Sequence, residues 1–120
     1  MLKPNRLANN NFLSSLDLTT DEVFYIIELA NNFKNKKINF HLENKVLGLI
    51  FDKSSTRTRV SFQVAMSRLG GTTVDLNPNT SQIGRGEPIR DTARVLSRYC
   101  DVLAIRTFKQ SDLEEYARHH

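Results

Sequence analysis

The sequence predicts an α/β fold, a parallel sheet with helices on both faces, and three observations lead there. From residue 46 onward, short apolar runs alternate with stretches of helical periodicity. The first run, "VLGLIF", is apolar throughout, as a strand covered on both faces requires. Three strand–helix units fit into fewer than eighty residues, a spacing suited to right-handed parallel crossovers.

Taken in order, the elements justify themselves locally. Residues 1–18 are polar apart from the patch "FLSSLDL". Thr19 and Glu22 have the spacing of a capping box. Val23, Ile26, Ile27, Ala30 and Phe33 then recur on one face of an amphipathic helix, which the polar "NNFKNKKINF" ends. Val46 to Phe51 is the first strand, and a helix from about Thr56 to Leu69 follows, with Phe62, Ala65, Met66 and Leu69 on one side. Gly70-Gly71 stops it, because glycine takes the left-handed position after a helix without steric penalty. "TTVDL" is the second strand, and "NPNTSQIGRGE" a long polar loop closed by Pro88 in the first turn of the next helix. Ile89, Ala93, Leu96 and Cys100 form that helix's apolar stripe. "DVLAIRT" is the third strand, and Ser111-Asp112-Leu113-Glu114 caps a last helix.

The totals bound the function classes. A chain of 120 residues, 39% hydrophobic and 25% charged, has the composition of one ordinary globular domain. No apolar run is long enough to span a bilayer, and the start lacks a signal-peptide core, so a cytoplasmic location without membrane contact is expected. The single cysteine, Cys100, excludes an internal disulfide and fits a reducing compartment; its apolar surroundings make it core filler. Seventeen basic residues against thirteen acidic ones give net +4, a modest bias toward anionic partners. The basic residues are dispersed and form no stripe with stacking aromatics, which argues against a nucleic-acid partner. His41, His119 and His120 lack metal-ligand spacing.

In open parallel sheets, ligands collect outside the carboxyl ends of the strands. Three segments reach that edge: Ser55-Thr56-Arg57-Thr58-Arg59 after the first strand, the loop with Ser81, Gln82 and Arg85 after the second, and Arg106 closing the third. A helix start carries unpaired N–H groups and the positive end of the helix dipole. Hydroxyls and guanidinium groups added there make a site for a phosphate or a phosphorylated small molecule. The plainer alternative is that Ser55 and Thr58 only cap the helix, with Arg57 and Arg59 solvated and Arg106 buried against an acid such as Asp75. Nucleotide-binding glycine loops are absent from the sequence.

The stretches "FDKSSTRTRVSFQVAMSRLGG", "NTSQIGRGEPIRDTARVLSRYCDVLAIRTF" and "NFLSSLDLTTDEV" resemble the amino-terminal domain of the ornithine carbamoyltransferase family. Ser-Thr-Arg-Thr-Arg marks the wider aspartate/ornithine carbamoyltransferase superfamily, whereas Gln82, where aspartate enzymes usually carry lysine, points to the ornithine branch. The resemblance implies that Ser55, Thr56, Arg57 and Thr58 bind the phosphate of carbamoyl phosphate. It implies that Gln82 touches the same ligand across a subunit boundary of a homotrimer, and that Arg106 reaches the carbamoyl oxygen and the phosphate. Arg57 and Arg106 then take the catalytic roles, with Arg59 supporting them through ion pairs. The reaction implied is carbamoyl transfer to L-ornithine, giving L-citrulline and phosphate in arginine biosynthesis, with no metal or organic cofactor.

On that resemblance, residues 1–120 are an incomplete carbamoyl-phosphate-binding domain of a two-domain enzyme. The His-Pro-x-Gln, Asp-x-x-x-Ser-Met-Gly and His-Cys-Leu-Pro segments that complete the family's site do not occur in the 120 residues. These residues alone are expected to bind donor without forming citrulline. Two alternatives stand beside this expectation: a carbamoyltransferase for another amine, such as putrescine or an acylated ornithine, and a non-catalytic anion-binding module.

Overall fold

The computed structural model describes residues 7, 9–36, 40–51, 55–76, 88–107 and 109–120, and the chain divides into two compact units, Met1–Phe40 and His41–His120. In the first unit, a 3-10 turn (Ser15–Asp17) precedes helix α1 (Thr20–Lys34). Each begins with a reciprocal cap. Ser14 and Asp17 cap the turn. Thr19 Oγ1 accepts from Glu22 N–H at 3.1 Å, and the Glu22 carboxylate accepts from Thr19 N–H at 2.9 Å. The capping box expected from the sequence is therefore present, and it explains why Glu22 is the buried residue of α1.

Among the described residues, the second unit is a three-stranded parallel sheet with three helices: β1 (Val46–Phe51), α2 (Thr56–Arg68), β2 (Thr72–Leu76), α3 (Ile89–Leu96), β3 (Val102–Arg106) and α4 (Gln110–His119). The strand order is β2-β1-β3, so β1 is central, and Leu47 to Phe51 are buried. Period-two alternation divides that strand between two cores. Leu47, Leu49 and Phe51 pack with Met66 of α2 and with Ala104. Ile50 packs on the other face with Ala93 of α3 and Tyr116 of α4. Helices thus cover both faces, as the sequence predicts. Leu49 and Ile50 are fully buried, each contributing about 1.5–3 kcal/mol. At Gly48 an added Cβ would lie 2.7 Å from Leu103 Cδ2 and 3.1 Å from Cys100 Sγ, so any larger residue there requires both side chains to shift.

All three strand ranges match expectation to within a residue at each end, but three helix details differ. Helix α2 ends at Arg68; Gly71 N–H then donates to Met66 O at 2.8 Å and Gly70 N–H to Ser67 O at 3.2 Å, with Gly70 at φ 85°. Of its expected inward side, Met66 packs on the sheet core and Phe62 meets the Phe51 ring, whereas Ala65 is exposed; Arg59 turns toward the sheet as well. Pro88 is the N-cap of α3, directly before the first turn in which it was expected, and α3 stops at Leu96. Cys100 lies past that helix, held by its N–H donating to Leu96 O at 2.8 Å, and is still buried. Helix α4 starts at Gln110 with Lys109 as N-cap and no side-chain cap, so Ser111 sits inside its first turn. The Ser111–Glu114 spacing imitates a capping box, but the extended backbone at Lys109 starts the helix earlier.

The amino ends of β1 and β3 are tied by one side chain. Val46 N–H donates to Asp101 Oδ2 at 2.8 Å, and Asp101 N–H donates back to Val46 O at 2.9 Å. This fixes the register that sets Phe51 opposite Arg106 at the far edge.

Candidate functional site

Strand order creates the site. The chain moves from β1 to β2 on one side and returns to place β3 on the other. With right-handed crossovers, α2 then lies on one face and α3 on the opposite one. Between β1 and β3 the direction of winding reverses, and the crevice at the carboxyl ends of those strands is where such sheets bind ligands. Phe51 ends β1 and Arg106 ends β3, and the two are direct register neighbours. Helix α2 opens five residues after Phe51, so its first turn belongs to the same edge.

That first turn differs chemically from the others. Helices α1, α3 and α4 each carry acid in their first turn, whereas α2 carries none. Among the described residues, no acid in that first turn neutralises the positive dipole end. Ser55 is the N-cap, yet its hydroxyl makes no capping bond. Its carbonyl accepts the first intrahelical bond, from Arg59 N–H at 3.0 Å, which leaves the amides before Arg59 without intrahelical partners. Thr56, Arg57 and Thr58 are exposed. Hydroxyls, amides and a guanidinium group gathered at an acid-free helix start suit a phosphate.

The two arginines of this turn part company. Residues two apart on a helix point to different sides. Arg59 turns inward: its Nε lies 3.5 Å from Asp75 Oδ2 on β2, and its guanidinium carbon is 5.8 Å from the centre of the Phe51 ring. Phe62, one helical turn on, meets the same ring edge-on at 6.5 Å. Arg57 remains exposed, and among the described residues its side chain enters no ion pair.

Arg106 is exposed at the strand end. The alternative in which Asp75 buries Arg106 is overturned: Asp75 pairs with Arg59, and β2 and β3 lie on opposite sides of β1. Register puts Arg106 beside Phe51 on the face that α2 covers. Ser55, Thr56, Arg57, Thr58 and Arg106 therefore share one sheet edge. Gln82, with Ser81 and Arg85, lies outside the described residues. Asp75 as the anchor of Arg59 was missed from sequence, although an acid inside the strand "TTVDL" was the available signal.

Other groups stand apart from this edge. Burial, and secondarily the charge of Asp101, push the Cys100 thiol above its ordinary pKa, the opposite of an activated nucleophile. Arg90 is 3.5 Å from its neighbour Asp91, a solvated pair on α3. Among the described residues no cluster of three or more His, Cys, Asp or Glu is placed to hold a metal, and no helix is long and apolar enough to cross a membrane.

Comparison with known proteins agrees with this fold. A family profile described as aspartate/ornithine carbamoyltransferase, carbamoyl-P binding domain, matches residues 10–120. The chain is 82% identical over 118 residues to an ornithine carbamoyltransferase of Prochlorococcus marinus subsp. pastoris, covering 98% of this chain and 38% of that protein. The crystal structure of the Gloeobacter violaceus ornithine carbamoyltransferase superposes with a TM-score of 0.79 at 51% identity, over 89% of this chain and 34% of that one. The Pyrococcus furiosus ornithine carbamoyltransferase gives 0.84 at 47% identity, over 94% and 37% respectively. The chain thus spans well under half the length of these relatives. With the fold and the profile in agreement, this chain belongs to the aspartate/ornithine carbamoyltransferase family and carries its carbamoyl-P binding domain.

Proposed function

We propose that residues 1–120 form the donor-binding part of an ornithine carbamoyltransferase, binding carbamoyl phosphate at the first turn of α2. The observation carrying this reading is a first helical turn without acid, where Ser55 makes no side-chain capping bond and Arg57 has no ion pair among the described residues, at the strand edge where Arg106 ends β3. Ser55, Thr56, Arg57 and Thr58 hold the phosphate through hydroxyls, amides and one guanidinium group. Arg106 reaches the carbamoyl oxygen and the phosphate from β3. Gln82 contacts the same ligand from the loop after β2, across a subunit boundary of a homotrimer.

The chemistry follows from those charges. The neutral side-chain amine of L-ornithine attacks the carbamoyl carbon, and negative charge grows on the carbonyl oxygen and on the departing phosphate. Arg57, Arg106 and the helix amides are already oriented toward that charge, so no solvent has to reorganise as it forms. Collapse of the intermediate breaks the carbon–oxygen bond to phosphate, which leaves with the proton lost by the amine, and L-citrulline remains. Holding donor and amine in line supplies much of the remaining acceleration. The whole enzyme is read as a cytoplasmic member of arginine biosynthesis.

Calorimetric titration with carbamoyl phosphate tests the donor site. Arg57→Ala is expected to weaken binding by ~1.5–3 kcal/mol, the range for hydrogen bonds to charged groups. Arg98→Ala, in the turn after α3, is expected to leave it nearly unchanged. Equal losses in both variants would indicate a diffuse basic surface and contradict the reading.

A further inference from the structure

We propose that Asp75 is a positioning residue for the anion site, acting through Arg59 on the first turn of α2; this rests on the donor-site reading above. Arg59 links that turn to the sheet through two contacts of its side chain. Its backbone N–H holds the carbonyl of the N-cap Ser55 at 3.0 Å. Its side chain reaches Asp75 on β2 at 3.5 Å and covers the Phe51 ring, 5.8 Å away, at the end of β1. Phe51 is in turn the register neighbour of Arg106. One side chain thus refers the start of α2 to both strands, and through Phe51 to the second arginine of the site.

The geometry of the pair fits a positioning role better than a stabilising one. The Arg59 and Asp75 side chains are 30% and 36% exposed, where ion pairs contribute little to stability. Arg59 Nε is nevertheless buried, and among the described residues no hydrogen-bond partner has acceptable geometry for it, so the contact to Asp75 is ionic and not a hydrogen bond. An anchored Arg59 also keeps a second guanidinium from swinging among the phosphate ligands, leaving Arg57 as the cation that the turn presents. Serving as anchor explains an acid in the sequence of β2, close to a site meant for an anion. By charge alone, Asp75 opposes phosphate binding.

That opposition gives the test its sign. Inorganic phosphate is titrated calorimetrically into the 120-residue chain and into Asp75→Asn, Asp75→Glu, Arg59→Gln and the double variant Asp75→Asn/Arg59→Gln. Positioning predicts that Asp75→Asn weakens phosphate affinity about three- to tenfold, the scale of coupling within one ion-pair network. Asp75→Glu recovers most of that loss, and Asp75→Asn adds little once Arg59 is already glutamine. Mere loss of fold lowers the fraction of chain that binds while the dissociation constant stays put, and that result overturns the proposal. Tighter or unchanged binding in Asp75→Asn overturns the positioning role alone and leaves the donor site standing. Failure of the unsubstituted chain to bind phosphate overturns the donor-site reading and the positioning role together.

Discussion

Arg57 and Arg59 show how far single residues can be read. Both belong to one motif, and the spacing of two on a helix already separates an inward from an outward guanidinium. Which one turns inward is decided by Asp75 and Phe51, whose positions depend on a strand pairing that a linear sequence does not display. Gly48 is similar: its need for glycine comes from Leu103 and Cys100, more than fifty residues away. Gly48→Ala is expected to destabilise the fold by ~1–3 kcal/mol through overpacking, measured as a lower urea midpoint. Cys100 supplies a pH dependence. Its thiol pKa is raised in the folded chain, while an unfolded thiol ionises near pH ~8.5. The folded state then holds the proton longer, so the contribution is fully present below that pH and is lost as pH rises toward the folded value. Unfolding free energy should fall over that alkaline window, and Cys100→Ala should flatten the decline; an identical slope in both proteins would contradict the assignment.

At the scale of elements, a contrast between two caps separates stability from function. Thr19 accepts a capping bond in α1, whereas Ser55 makes none in α2. Thr19→Ala should therefore reduce stability by ~0.5–2 kcal/mol, the range for a lost cap. Ser55→Ala should leave the urea midpoint nearly unchanged and weaken carbamoyl phosphate binding. The reverse pattern would return Ser55 to a structural role. Strand limits and the glycine stop of α2 were legible because continuous apolar runs and Gly70 are local signals. The end of α3 and the start of α4 were not: Cys100 continues an apolar helical period, yet it is buried beyond the helix, and Ser111 imitates a cap that backbone geometry places elsewhere.

For the whole molecule, the order β2-β1-β3 matters most, since it brings the start of α2 and the end of β3 to one crevice. The sequence predicted a parallel sheet and three segments at one edge, but the order of strands is a tertiary property that periodicity does not encode. Incubated with carbamoyl phosphate and L-ornithine, a polypeptide of these 120 residues is expected to yield no citrulline above a no-protein control. Turnover that Arg57→Ala abolishes would show that these residues suffice. The central claim, that the α2 start and Arg106 jointly bind the donor, is met most directly by backbone amide NMR of the isotope-labelled chain titrated with fresh carbamoyl phosphate. The largest shifts should fall on Ser55, Thr56, Arg57, Thr58 and Arg106, and should vanish in Arg57→Ala. Shifts centred instead on Arg90, Arg94 and Arg98, or spread evenly over the basic surface, would contradict it.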